Sequence, residues 1–144
     1  EGLAQLAQVP NLQELDLSEN GQLSDAGMEH LAALQGLTKL NLWRLQITDA
    51  SMPHLAGLTN MKWLNVDNTQ ISDEGLPHLG GMQQLEFLHL GSTFVSDAGL
   101  HHLEGLKSLQ DLKVTRTAVT EQGVAELQKK LPDTEIQLKY LENE

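Results

Sequence analysis

The chain has no cysteine, so it holds no disulfide framework, no thiolate nucleophile and no cysteine metal ligand. It has only two Trp, one Tyr and two Phe. Any core must therefore be aliphatic, and the position of each aromatic carries information. Basic residues are also scarce, 9 against 20 acidic ones, for a formal net charge of −11. That balance excludes a broad nucleic-acid-binding surface, which needs surplus Lys and Arg to neutralise phosphates. No apolar run approaches the ~18 residues a membrane span requires, so membrane insertion is not expected. Nucleophile-elbow, phosphate-loop and H-E-x-x-H motifs are missing too. The expectation is a non-catalytic chain with no cofactor and no metal.

What the chain has is a block of about 24 residues repeated from end to end. Its first position falls on Leu37, Met61, Leu85 and Leu109. Position 4 holds Leu15, Leu40, Leu64, Leu88 and Leu112, and position 6 holds Leu17, Leu42, Val66, Leu90 and Val114. Apolar residues alternating over this stretch predict a short half-buried strand. Position 11 holds Leu23, Ile47, Ile71, Val95 and Val119. A Ser or Thr follows, then Asp25, Asp49, Asp73, Asp97 or Glu121. A hydroxyl–acid pair ahead of apolar residues spaced three apart predicts a short helix, with the acid at the positive end of its dipole. Units that touch only their neighbours form a solenoid rather than a single globular core.

The phrase L-x-x-L-x-L-x-x-T-x-I-[ST]-D-x-G-L-x-H-L, clearest in Met61 to Leu79 and Leu85 to Leu103, resembles the leucine-rich repeat family in its helix-containing, bacterial-type form. The family's usual Asn or Cys at position 9 is mostly Thr here (Thr69, Thr93, Thr117), with Asn20 once and Leu45 once. The resemblance implies an α/β solenoid arc, with a parallel β-sheet on the concave face and short helices on the convex face. It also implies a binding role, with no particular ligand. The expected organisation is one repeat domain over 1–144. A partial repeat covers 1–11, repeats cover 12–36, 37–60, 61–84, 85–108 and 109–131, and a closing strand and polar tail cover 132–144. Because Gly2 to Leu6 aligns with the middle of a repeat, the chain reads as a fragment of a longer protein. That leaves apolar Leu3, Leu6 and Val9 at an open end, where self-association is one expected outcome.

In a strand of period two, positions 3, 5 and 7 point away from the core. Those columns and position 8 gather Trp43, Trp63, Phe87 and Tyr140, with Phe94 in the adjoining loop. They also hold Arg44, Asn65, Asp67, His89, Lys113 and Arg116. The front is close to charge-neutral, and almost all the negative charge falls on the rest of the chain. Exposed aromatics and Arg are the residues that carry binding energy at protein interfaces. The expected partner-binding residues are therefore Trp43, Arg44, Trp63, Asn65, Asp67, Phe87, His89, Lys113 and Arg116, and the expected partner is a protein or peptide. Three alternatives stay open: an aromatic ladder that only covers the sheet, a targeting domain of a larger enzyme or effector, and a carbohydrate surface built on exposed Trp. His30, His54, His78 and His102 recur at one helical position. Helices pack 8–10 Å apart, too far for these rings to share one metal, so they are expected as half-buried rings between helices.

Overall fold

The computed structural model describes residues 2–139. Six three-residue strands form one parallel sheet in chain order: β1 (Glu14–Asp16), β2 (Lys39–Asn41), β3 (Trp63–Asn65), β4 (Phe87–His89), β5 (Asp111–Lys113) and β6 (Glu135–Gln137). The register joins equivalent positions, so Lys39, Trp63, Phe87 and Asp111 stand side by side, as do Leu40, Leu64, Leu88 and Leu112. Leucines 40, 64, 88 and 112 are fully buried in one continuous aliphatic core, with Leu42, Val66, Leu90 and Val114 beside them. Three consecutive alternating residues, Lys39-Leu40-Asn41 for instance, expose a polar face and bury a leucine. A parallel sheet strand needs no more when a helix covers its back.

The convex elements are mostly 3-10 helices rather than α-helices: Asp25–Ala33, Asp49–Ser51, Asp73–Leu79 and Asp97–Leu103. The spacing suits this form without dictating it. Leu76, Leu79 and Met82 lie three apart, as do Leu100, Leu103 and Leu106, and all are buried. Three residues per turn keep such a row on one face, which the 3.6-residue α-helix does not. The last convex element, α3 (Glu121–Lys130), is a true α-helix. There Val124, Leu127 and Leu131 are spaced three and then four, which fits the wider turn. Two shorter α-helices, α1 (Gly2–Leu6) and α2 (Met52–Leu55), complete the row.

Neighbouring units are tied by a ladder of aspartates. Asp25 accepts from the Thr48 N–H (2.9 Å) and hydroxyl (2.6 Å), and Asp73 from the Ser96 N–H (2.7 Å) and hydroxyl (2.5 Å). Asp97 accepts from the Thr120 N–H (2.8 Å) and hydroxyl (2.6 Å), and Asp49 accepts both groups of Ser72. Each hydroxyl also caps its own helix, Thr120 accepting from the Gly123 N–H at 3.2 Å for example. The acids expected to serve the helix dipole thus latch one unit to the next. The glycine two residues after each acid has the same origin. A Cβ at Gly75 would lie 2.5 Å from Asp49 Oδ1, and Gly99 and Gly123 are crowded more tightly by Asp73 and Asp97. The one exception in this column behind an aspartate is Ser51, whose hydroxyl donates to Asp25 Oδ1 at 2.5 Å.

At position 8 the backbone turns through the left-handed region, with φ of 62° at Glu19, Arg44 and Asn68, 53° at Ser92 and 54° at Arg116. Position 9 then closes the turn. The Thr69, Thr93 and Thr117 hydroxyls donate to the carbonyls three residues back at 2.7, 2.6 and 2.7 Å, and the Asn20 amide does the same at 2.8 Å. Leu45 lacks that group and is buried instead, its N–H reaching the Leu42 carbonyl at 3.3 Å. Two expectations need correction. Leu3 is not open at the N-terminal end but packs into the core at 5% exposure, leaving Val9 as the exposed apolar residue there. In the histidine column, His30, His54 and His78 are half-buried as expected, but His102 is exposed.

Candidate functional site: the concave face

The site residues come together because parallel register stacks equivalent positions at one strand spacing. Trp63 and Phe87 stack with ring centroids 4.9 Å apart and planes 10° from parallel. The Lys39 ammonium lies 4.8 Å from the Trp63 ring centre, on the β2 side of the stack. On the β5 side, Lys113 Nζ is 5.9 Å from the Phe87 ring centre. His89 meets Phe87 edge-on at 6.3 Å. A ring flanked by a cation and a second ring presents its edge to solvent rather than its face. This removes the stacking platform that a sugar would need at Trp63. Lys113 is itself held by Gln137 at 2.9 Å and Asp111 at 3.5 Å.

Position 5 has a local task. Asp16, Asn41, Asn65 and His89 each accept a hydrogen bond from the N–H two residues on, at 2.9, 3.1, 2.8 and 3.1 Å. Side chains of this kind end a strand by offering the backbone a partner outside the ladder. Asn65 and His89 are therefore committed in part to the turn, with His89 Nδ1 unprotonated and facing the Gly91 N–H. Burial pushes His89 below its ordinary value. The Asp67 carboxylate opposes that shift, Lys113 adds to it, and Asp111 opposes it. The ring is thus uncharged at neutral pH.

Trp43 and Arg44 sit one strand further along, with the guanidinium 5.5 Å from the Trp43 ring centre and paired to Glu19 at 3.0 Å. Arg116 is exposed at the loop edge, so it flanks the patch rather than entering it. Tyr140 lies outside the described residues. Four residues outside the expected partner-binding set are added by the geometry. Lys39 covers Trp63, Gly91 and Thr115 border Asp67, and Phe94 stands 68% exposed on the loop edge in place of the glutamines 22, 46 and 70. The signal for Phe94 was the end of a run of three glutamines in that column, which continues with Ala118.

A leucine rich repeat family model matches residues 10–71. The crystal structure of an internalin C2 from Listeria monocytogenes superposes with a TM-score of 0.73 at 24% identity, over 95% of this chain and 54% of that one. The fold is a leucine-rich repeat solenoid. A leucine-rich repeat protein of Leptospira interrogans is also similar, with a TM-score of 0.61 at 21% identity, over 94% of this chain and 39% of that one. No curated protein matches the sequence. The chain spans 54% and 39% of the lengths of these two solved relatives. Leucine-rich repeats typically serve as protein-interaction modules, generally without catalysis of their own. Among the described residues no helix is long and apolar enough to cross a membrane.

Proposed function

We propose that this leucine-rich repeat arc is a non-catalytic interaction module that binds a protein or peptide on its concave sheet. The observation that carries the reading is the Trp63–Phe87 stack, half-buried at the centre of the sheet and flanked by Lys39 and Lys113. Preformed aromatic edges on a rigid sheet lose little conformational freedom on binding, and neighbouring Lys, Asn and Asp side chains supply a polar rim. The acidic bulk of the chain lies elsewhere, which keeps the scaffold soluble without filling the front with like charge. His89 gives no support to catalysis, because its Nδ1 is taken by a backbone N–H. Both solved relatives are longer, so a role as the targeting part of a larger protein is compatible with the same surface.

The test is the double variant Trp63→Ala with Phe87→Ala. The leucine columns behind the sheet are untouched, so cooperative melting and the circular dichroism spectrum should persist. A partner isolated on the wild-type chain should no longer be retained. Retention with unchanged affinity would refute the concave-face reading.

A further inference from the structure

The loop edge beside the concave face carries an aromatic ring that neither the core nor the Trp63–Phe87 stack uses. Phe94 is 68% exposed, while Thr93 and Val95 on either side of it are buried. Its N–H donates to the Ile71 carbonyl at 2.9 Å, and parallel bridges from Ser24–Gln46 to Ser96–Ala118 hold this edge in step from unit to unit. The backbone under the ring is thus fixed. Phe94 borders an open groove of about 530 Å³ whose lining includes Arg44, Gln46, Asn68, Gln70 and Ser92. Charge here departs from the rest of the chain. Residues 44–46, 68–70, 92–94 and 116–118 carry Arg44 and Arg116 and no acid, within a formal net charge of −11. Both arginines take left-handed backbone, φ 62° and 54°, where Gly or Asn would serve the turn at less cost. Turn geometry therefore does not account for the guanidinium groups. The Arg44 pair with Glu19 is 3.0 Å long with both side chains 53% exposed, a kind that contributes little and exchanges readily.

We infer that this loop edge is a second interaction surface, separate from the concave face, and that it binds an extended acidic segment of a partner protein with an apolar side chain seated on Phe94. Adjacent units stand about 5 Å apart, so Arg116 lies one spacing from Phe94 and Arg44 two spacings away on the other side. An extended peptide rises about 3.3 Å per residue. Laid across the units with its apolar residue on Phe94, it brings carboxylates about two residues away on one side and about three on the other within reach of the two guanidiniums. Arg takes a carboxylate through paired N–H donors, which fixes register. On the Arg44 side, the exposed Gln46 and Gln70 amides each offer a donor and an acceptor to the peptide backbone. Repulsion from the acidic convex elements keeps such a segment off the back of the arc. Two arginines are too few to hold a nucleic-acid backbone against the same repulsion.

The experiment titrates the isotope-labelled full chain with acetyl-Glu-Glu-Gly-Leu-Gly-Glu-Glu-amide, whose symmetric acids serve either chain direction. It follows the backbone amides of residues 44–46, 68–70 and 92–94 and the Gln46 and Gln70 side-chain amides. Saturable shifts confined to this edge are expected, weakening as salt is raised. The same peptide with Gln for Glu, or with Gly for Leu, should bind about tenfold more weakly, as should the double variant Arg44→Gln with Arg116→Gln. Phe94→Gln places the residue type of positions 46 and 70 in the same column, so the fold should persist while saturation is lost. Equal binding of the Gln peptide, no saturation, or unchanged affinity in Phe94→Gln overturns the inference. So do shifts of the same resonances on concentrating the chain alone, which make a second copy the occupant. The two surfaces separate on Trp63→Ala with Phe87→Ala. Peptide binding unchanged in that variant supports the loop edge whatever becomes of the concave-face reading, and binding lost there assigns the peptide to the concave face and overturns the loop edge.

Discussion

Replacing a helical glycine by alanine ordinarily stabilises a protein by about 0.5–1 kcal/mol, because the unfolded chain loses freedom and the helix gains a better former. Gly99→Ala should do the opposite. Its new methyl would meet the Asp73 carboxylate well inside van der Waals contact and Leu76 Cδ1 at 3.0 Å. The carboxylate cannot retreat without giving up the Ser96 N–H and hydroxyl, which it holds at 2.7 and 2.5 Å. Hydrogen bonds to a charged group contribute about 1.5–3 kcal/mol each. Partial loss of two, less the ordinary gain from alanine, gives a net destabilisation of roughly 2–3 kcal/mol.

The internal control is Gly27, which occupies the same column with no aspartate ahead of it. A methyl there would find only Leu3 Cδ1 at an ordinary 3.5 Å. Gly27→Ala should be neutral or stabilising. Urea denaturation of the two variants reads the difference directly. Asp73→Ala and Gly99→Ala combined should cost less than the sum of their separate costs, since contacting residues do not behave additively. If Gly99→Ala matches Gly27→Ala in stability, or if the double variant is simply additive, the aspartate ladder does not set the glycine column.

Two further predictions follow from the same frame. Ser92 sits at φ 53°, a region that costs an L-residue about 1–2 kcal/mol, so Ser92→Gly should raise stability by about 0.5 kcal/mol after the entropy of glycine is subtracted, and Asn68→Gly by less, because Asn tolerates this conformation; thermal denaturation checks both. Burial pushes the Asp25 carboxyl up, but hydrogen bonds from Ser51 and Thr48, helped by nearby His54, hold it below its ordinary 3.8. A lowered folded value means the stabilisation is complete above the unfolded pKa and is lost as pH falls through the folded one. Asp25→Asn should therefore be less stable than the native chain at pH 7, with the gap closing in acid. A gap independent of pH would refute the assignment.

The solenoid was legible in the sequence because its signal is collective: five leucines in one column and four aspartates in another cannot arise from a single ambiguous window. The register followed, and with it the Trp63–Phe87 neighbourhood. The convex helices were legible as apolar residues three apart, but their 3-10 form was not, since Met52, Leu55 and Leu58 carry the same spacing and Met52–Leu55 is α-helical. The role of the aspartates was not readable, because a carboxylate before a helix has the same sequence signature whether it faces its own dipole or the next unit's hydroxyl. A break in a column is not by itself a sign of function. His89 breaks the Asp/Asn column in residue type yet preserves its hydrogen bond, offering Nδ1 where Asn41 and Asn65 offer Oδ1. Gly91 breaks its column by absence, and only the geometry shows what surrounds the gap. Across Gly91, Asp67 Oδ1 and Thr115 Oγ1 are buried without a hydrogen-bond partner, an arrangement that no column of the sequence foretells.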